Sequence, residues 1–300
     1  MSLIHCDTLT KRYGSAVALE SLNLELDSGA PIALIGPNGA GKTTLMSLIC
    51  GFIQPSSGQL SILGHAPGSH ELSGRLAALP QDALLDPRLS VGRQLRFYAR
   101  LQGLDKQQAR AEILRVLETV DLRDSIDTKP TDLSHGMRKR VAIAQSLIGS
   151  PTVVLLDEPT AGIDPPNAKM IRDLVKEQSA NTTFIVSSHN LDELERLCGS
   201  VIYLEKGRLV SFGAVSDDNH DHDVLTLRAP SVPADVFMPL CQQLAHVLRV
   251  GKTSQGDYLI ETDNEMQASI ALLQLLADNG WRYRQLSRGK TLEERLYGNA

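Results

Sequence analysis

Apolar positions along the chain follow two periods. Residues 22–26 (LNLEL) alternate apolar with polar, which predicts a strand with one buried face, whereas residues 31–35 (PIALI) form an unbroken apolar run that predicts a strand covered on both sides. Two further runs of the second kind stand at 153–156 (VVLL) and 183–186 (TFIV). Helical spacing appears at 93–102, 107–120 and 136–148. Short apolar runs alternating with amphipathic stretches from Ile4 to about Gly213 predict an α/β domain. The pattern breaks at 216–223 (SDDNHDHD), a polar, acidic run that reads as a linker. Residues 1–215 then form a large domain and 224–300 a small one. Beyond the linker the expected order is a strand at 224–228, a helix at 233–245, strands at 247–250 and 258–262, a helix at 265–278 and a strand at 281–286, with a last helical turn near 292–296. That βαββαβ order predicts a small α+β, ferredoxin-like unit.

Composition narrows the classes. A length of 300 residues suits two domains at roughly 100–200 residues each. A hydrophobic fraction of 42% and a charged fraction of 22% exclude a disordered or fibrous chain. The net charge of -5 supplies no basic field, so direct binding of nucleic acid is not expected. No stretch approaches the ~20 apolar residues of a membrane-spanning helix, and the N-terminus lacks the basic and apolar regions of a secretory signal, so a cytoplasmic location is expected. Cys6, Cys50, Cys198 and Cys241 are scattered without metal-ligand spacing and read as reduced, inert thiols. His220 and His222, set between aspartates, read as part of a solvated linker, and no metal site is expected beyond Mg²⁺.

Directly after the buried run at 31–35, the segment Gly36, Pro37, Asn38, Gly39, Ala40, Gly41, Lys42, Thr43 satisfies G-x-x-x-x-G-K-[ST], and Thr44 continues into a helix. Glycines at 39 and 41 let the backbone wrap around phosphate oxygens, so that N–H groups and the helix N-terminus face the anion. Lys42 adds charge for the β- and γ-phosphates, and the Thr43 hydroxyl is a ligand for Mg²⁺. The run at 153–156 ends in two adjacent acids, Asp157 and Glu158. Asp157 is suited to help hold the same Mg²⁺ and Glu158 to polarise the water that attacks the γ-phosphate. Together the two motifs specify a nucleoside triphosphatase.

These residues carry a specific resemblance: from about Leu3 to Gly213 the chain resembles the ATP-binding subunit of an ABC transporter. In the place of that family's LSGGQ signature stands Leu133-Ser134-His135-Gly136-Met137. The resemblance implies a P-loop fold of ABC type with a helical subdomain at about 82–150, in which Ser134, His135 and Gly136 serve ATP held by the opposite subunit. Tyr13 is then the aromatic that stacks on adenine, Gln81 the glutamine that senses Mg²⁺ and the attacking water, Asp164 the residue that crosses the dimer interface, and His189 the switch histidine at the γ-phosphate. It also implies a dimer, with itself or with a second ATPase subunit, on the cytoplasmic face of a separate integral membrane permease. The small C-terminal domain resembles exporters of the drug and polysaccharide type.

Two departures from the family pattern stand out: His135 and Met137 replace the usual glycine and glutamine, and residues 89–95 (LSVGRQL) lack the common glutamate-asparagine pair. The rival reading is an ABC-type ATPase that acts on a macromolecular complex rather than in transport. Such proteins usually carry two cassettes or long coiled-coil insertions, and this chain has neither. A protein that holds ATP without turnover is a third reading, against which Glu158 and His189 count.

Overall fold

The chain divides after Ala214 into two units, seen in a computed structural model that describes residues 2–215, 224–253 and 256–289. The first unit begins with β1 (Ile4–Tyr13), β2 (Ala16–Leu26), β3 (Ile32–Ile35), α1 (Lys42–Ile49), β4 (Ser57–Ile62) and β5 (Leu76–Leu79). Three helices follow, α2 (Val91–Leu101), α3 (Lys106–Thr119) and α4 (His135–Ser146). It closes with β6 (Val153–Asp157), α5 (Pro165–Gln178), β7 (Thr183–Ser187), α6 (Leu191–Leu197), β8 (Ser200–Glu205) and β9 (Arg208–Ala214).

A three-stranded antiparallel sheet has the order β2-β1-β4, and a six-stranded sheet has the order β5-β6-β7-β3-β8-β9. The larger sheet is parallel up to β8, and β9 joins it antiparallel. Its central strands are apolar throughout because both faces are covered: every residue of β3 and β7 is buried. One core cluster joins the sheets, with Leu9, Leu19 and Leu22 of the small sheet and Leu34, Leu155, Ile185 and Ile202 of the large one. Since β6, β7 and β3 are parallel neighbours, the segments after Asp157, Ser187 and Ile35 emerge side by side at one end of the sheet. Ligands of open parallel sheets bind outside that carboxyl end. Helix α3 opens on a reciprocal cap, in which Asp105 accepts from the Gln108 backbone and the Gln108 side chain accepts from Asp105 N–H.

The second unit comprises β10 (Val224–Arg228), α7 (Ala234–Gln242), β11 (Val247–Lys252), β12 (Tyr258–Thr262), α8 (Glu265–Asp278) and β13 (Gln285–Arg288). Its strands order as β11-β12-β10-β13, antiparallel throughout, which is the ferredoxin-like arrangement. Phe237 and Tyr258 pack with ring centroids 4.4 Å apart, and the Tyr258 hydroxyl donates to Val232 O at 2.8 Å.

The last strand differs from the expectation at 281–286. Gly280, at φ 64°, ends α8 in a left-handed turn. Gly280 N–H then bonds to Ala277 O, and Trp281 N–H to Leu276 O. Trp281 is thereby committed to the helix cap and packs on the core, so pairing starts only at Gln285. The expected linker at 216–223, with His220 and His222, and the turn near 292–296 lie outside the described residues. Burial pushes all four thiols up to about 12, so they remain protonated near neutrality.

Candidate nucleotide site

The loop between β3 and α1 is shaped by two glycines that no other residue could replace. Gly36, at φ 154°, passes so close to the Leu204 carbonyl that a Cβ would overlap it. Gly41 caps α1 at φ 103°, and a Cβ there would lie 2.7 Å from both Ala18 O and a Leu19 methyl. No side chain caps α1, which leaves its first N–H groups for a ligand. The Lys42 ammonium donates to Gly36 O at 2.7 Å and to Pro37 O at 3.2 Å, folding over the loop it follows. Burial lowers its pKa, while Glu158 and Asp157 oppose the shift.

Across the loop stand the two acids. Asp157 is opposite Ser187 in the β6–β7 register, and the Ser187 hydroxyl donates to Asp157 Oδ1 at 2.5 Å. The same hydroxyl accepts from Glu158 N–H at 3.0 Å, and Ser187 O lies 3.2 Å from that nitrogen. These bonds hold Glu158 at φ 49°, a conformation that costs a non-glycine residue on the order of 1 kcal/mol or more. The turn swings its buried carboxylate into the site. Glu158 Oε1 has no hydrogen-bond partner and sits 3.2 Å from His189 Nε2, without the alignment of a hydrogen bond. Asn38 through Thr44, Gln81, Asp157, Glu158 and His189 line a single pocket together with Ala18.

The other sequence-derived positions are elsewhere. Gly36 and Pro37 are not among the described lining residues and act as carbonyl acceptors for Lys42. Tyr13 is half exposed at the end of β1, with the Lys11 ammonium 5.1 Å from its ring centroid. Ser134 caps α4, its hydroxyl accepting from Met137 N–H at 3.2 Å. Ser134 and His135 are exposed, while Gly136 is buried. Asp164 stands just before α5 without a side-chain bond to the helix backbone, and accepts from Asn167 Nδ2 at 2.6 Å. Asn167 in turn sits on Gly136, where a Cβ would come within 2.6 Å of its Cγ. None of Tyr13, Ser134, His135, Gly136 or Asp164 is among the described residues that line the pocket.

Three contributors were not singled out from sequence. Ser187 shapes both acids, a role fixed by strand register rather than by any local motif. Lys139, on α4, donates to Gln81 O at 3.2 Å. Gln94, which stands in the altered 89–95 segment, is buried and knots the loop before α2: it accepts from Asp86 N–H at 2.7 Å and donates to Leu89 O at 3.1 Å. The Thr43 hydroxyl, the Gln81 amide oxygen and the Asp157 carboxylate are oxygen ligands by type, a set that suits a hard divalent cation. Among the described residues no cluster of three His, Cys, Asp or Glu could hold a metal alone.

A strand, a glycine loop and an uncapped helix facing paired strand-end acids define a P-loop nucleoside triphosphatase. Comparison with known proteins makes this specific. The sequence profile of the ABC transporter family matches residues 19–161. A Nod factor export ATP-binding protein I of Cupriavidus metallidurans is 34% identical over 215 residues, 71% of each chain. The protein of the same name from Ralstonia nicotianae is 30% identical over 97% of this chain and 92% of its own. The linearmycin resistance ATP-binding protein LnrL of Bacillus subtilis is 29% identical over 82% of this chain and 80% of its own. Among solved structures, the ATP-binding subunit of an ABC transporter superposes with a TM-score of 0.65 at 29% identity, covering 72% of this chain and 91% of the other. A dimeric cassette in a post-hydrolysis state with ADP and Pi shares the fold, with a TM-score of 0.64 at 24% identity.

The chain belongs to the ABC transporter family, as an ATP-binding and ATP-hydrolysing subunit, and membership of that family implies a membrane partner. Nothing in these comparisons favours a non-transport ATPase. Among the described residues no helix is long and apolar enough to cross a membrane.

Proposed function

We propose that the subunit hydrolyses ATP with Glu158 as general base, as half of a head-to-tail dimer that drives an export permease. The observation that carries this reading is Glu158 itself: a buried carboxylate with one oxygen free of hydrogen bonds, held by a left-handed turn at the mouth of the Lys42 pocket. The α1 N–H groups and Lys42 hold the phosphates. Glu158 Oε1 takes a proton from the attacking water, and His189, 3.2 Å away, orients that water and contacts the γ-phosphate. Thr43, Asp157 and the Gln81 side chain would hold Mg²⁺, which when bound supplies charge neutralisation for the phosphates. Tyr13 offers a stacking face to adenine.

Ser134, His135 and Gly136 serve the nucleotide of the other subunit, and Asp164 borders the same interface. Two chains thus enclose two ATP molecules, and closure works on a separate permease whose site lies in the membrane. Outward transport is supported by the names of the relatives, which include Nod factor export and linearmycin resistance proteins. The subunit acts on the cytoplasmic face of the membrane. The test is Glu158→Gln: phosphate release is expected to fall by at least about 10²-fold, with ATP affinity kept within about twofold. Turnover at the parent rate would remove Glu158 as the base.

A further inference from the structure

Helix α4 carries Ser134 at its cap and, in its second turn, Lys139. The Lys139 ammonium donates to the carbonyl of Gln81, a residue that lines the chain's own nucleotide pocket, at 3.2 Å. This is a bond between residues 58 apart in sequence, made from a half-buried side chain. Asp157, Asp82 and Glu158 are the acids whose charges act on that ammonium, and burial is the main force on its pKa, which it lowers. A solvated surface lysine would show neither feature.

The bond joins a helix anchored by further hydrogen bonds to an exposed turn. Arg138 donates to Leu133 O at 2.6 Å and Arg140 to Val120 O at 2.9 Å, fixing α4 to its own cap and to the end of α3. Gln81 is exposed and follows β5 in a turn segment whose side chain lines the pocket. Lys139 is therefore a polar tie between a held helix and the exposed turn that carries Gln81.

We propose that Lys139 is a positioning residue that couples the two half-sites of one chain: through its bond to Gln81 O it makes the Gln81 segment follow α4. Engagement of a phosphate at Ser134 is thereby transmitted to Gln81 in the chain's own pocket. The proposal rests on the reading of Ser134 as a partner's phosphate site. Lys139 touches no substrate and no reacting atom in this role. Its aliphatic replacement should uncouple the two elements while leaving each intact.

The test is hydrogen exchange on the full-length Glu158→Gln chain, with and without ATP, read over residues 79–86 and over 134–146. In the parent, ATP is expected to slow exchange in both segments. Lys139→Met should keep the protection of 134–146 and lose that of 79–86, with exchange there faster by about fivefold or more, and Lys139→Arg, which can still donate to the carbonyl, should restore it. Lys139→Ala repeats the measurement if the methionine variant is poorly folded. Protection of both segments in Lys139→Met overturns the tie. Loss of both in that variant also overturns it, since it would make Lys139 a support of α4 rather than a link. Absence of ATP protection at 134–146 in the parent itself would instead remove the in-trans reading of Ser134, and the proposal with it.

Discussion

Two helix starts in the first unit are assigned to phosphate, and they are built on opposite plans. Helix α1 has no side-chain cap, begins at a left-handed glycine, and faces Lys42, two acids and a histidine in a shared pocket. Helix α4 is capped by its own Ser134 hydroxyl, and its start is in contact with the α5 segment through Gly136 and Asn167. In the proposed reading the first arrangement supplies the cation, the metal ligands and the base needed for phosphoryl transfer. The second offers a helix dipole, the Ser134 hydroxyl and the exposed His135. In that reading the first end binds the chain's own ATP and the second serves a phosphate brought by another molecule. The proposed chemistry is thus divided between two surfaces of one chain.

Substitutions at the two ends should separate by kind as well as by size. Lys42→Ala is expected to have the largest effect, lowering ATP affinity by about 10²-fold because it deletes a charge used in the ground state; equilibrium titration with a fluorescent ATP analogue measures this. Unchanged affinity would remove the P-loop end from the account. Gly136→Ala drives a methyl into Asn167 and should weaken ATP-driven assembly by roughly 5–150-fold, the equivalent of about 1–3 kcal/mol of overpacking, with ATP affinity of the single chain unaffected. Asn167→Ala added to it should recover part of the loss, and no recovery would show that the contact is not the cause. Ser187→Ala removes one hydroxyl that serves both acids and should cost about 1–2 kcal/mol of stability together with a severalfold drop in turnover. Thermal unfolding and phosphate release check the two parts. A variant as active and stable as the parent would show that the strand register alone sets the acids.

The same contrast explains what could be read from the sequence. The P-loop is legible because its chemistry is consecutive: one strand, one loop and one helix supply every group from Gly36 to Thr44. Asp157 and Glu158 are legible because two acids ending a buried run are rare. Ser187 is not, since its part depends on β6 and β7 being neighbours in register, and strand order does not show in local periodicity. Lys139 escapes for the same reason, reaching Gln81 across 58 residues. The long hairpin of β1 and β2 was read only in part, because register shifts along β1 interrupt the alternation that marks a strand. In the second unit the element order was plain among the described residues, and the largest displacement is that of the final strand, where Gly280 and Trp281 serve the cap of α8.

The division of the site is tested most directly by the mass of the Glu158→Gln chain in solution, measured by sedimentation with and without saturating ATP, beside the same chain carrying Ser134→Arg. The account predicts single chains without nucleotide and a doubled mass with ATP, and it predicts that the Ser134→Arg chain binds ATP at the same affinity yet stays single. A Glu158→Gln chain that remains single when saturated with ATP, or a Ser134→Arg chain that pairs as tightly as its parent, would contradict it.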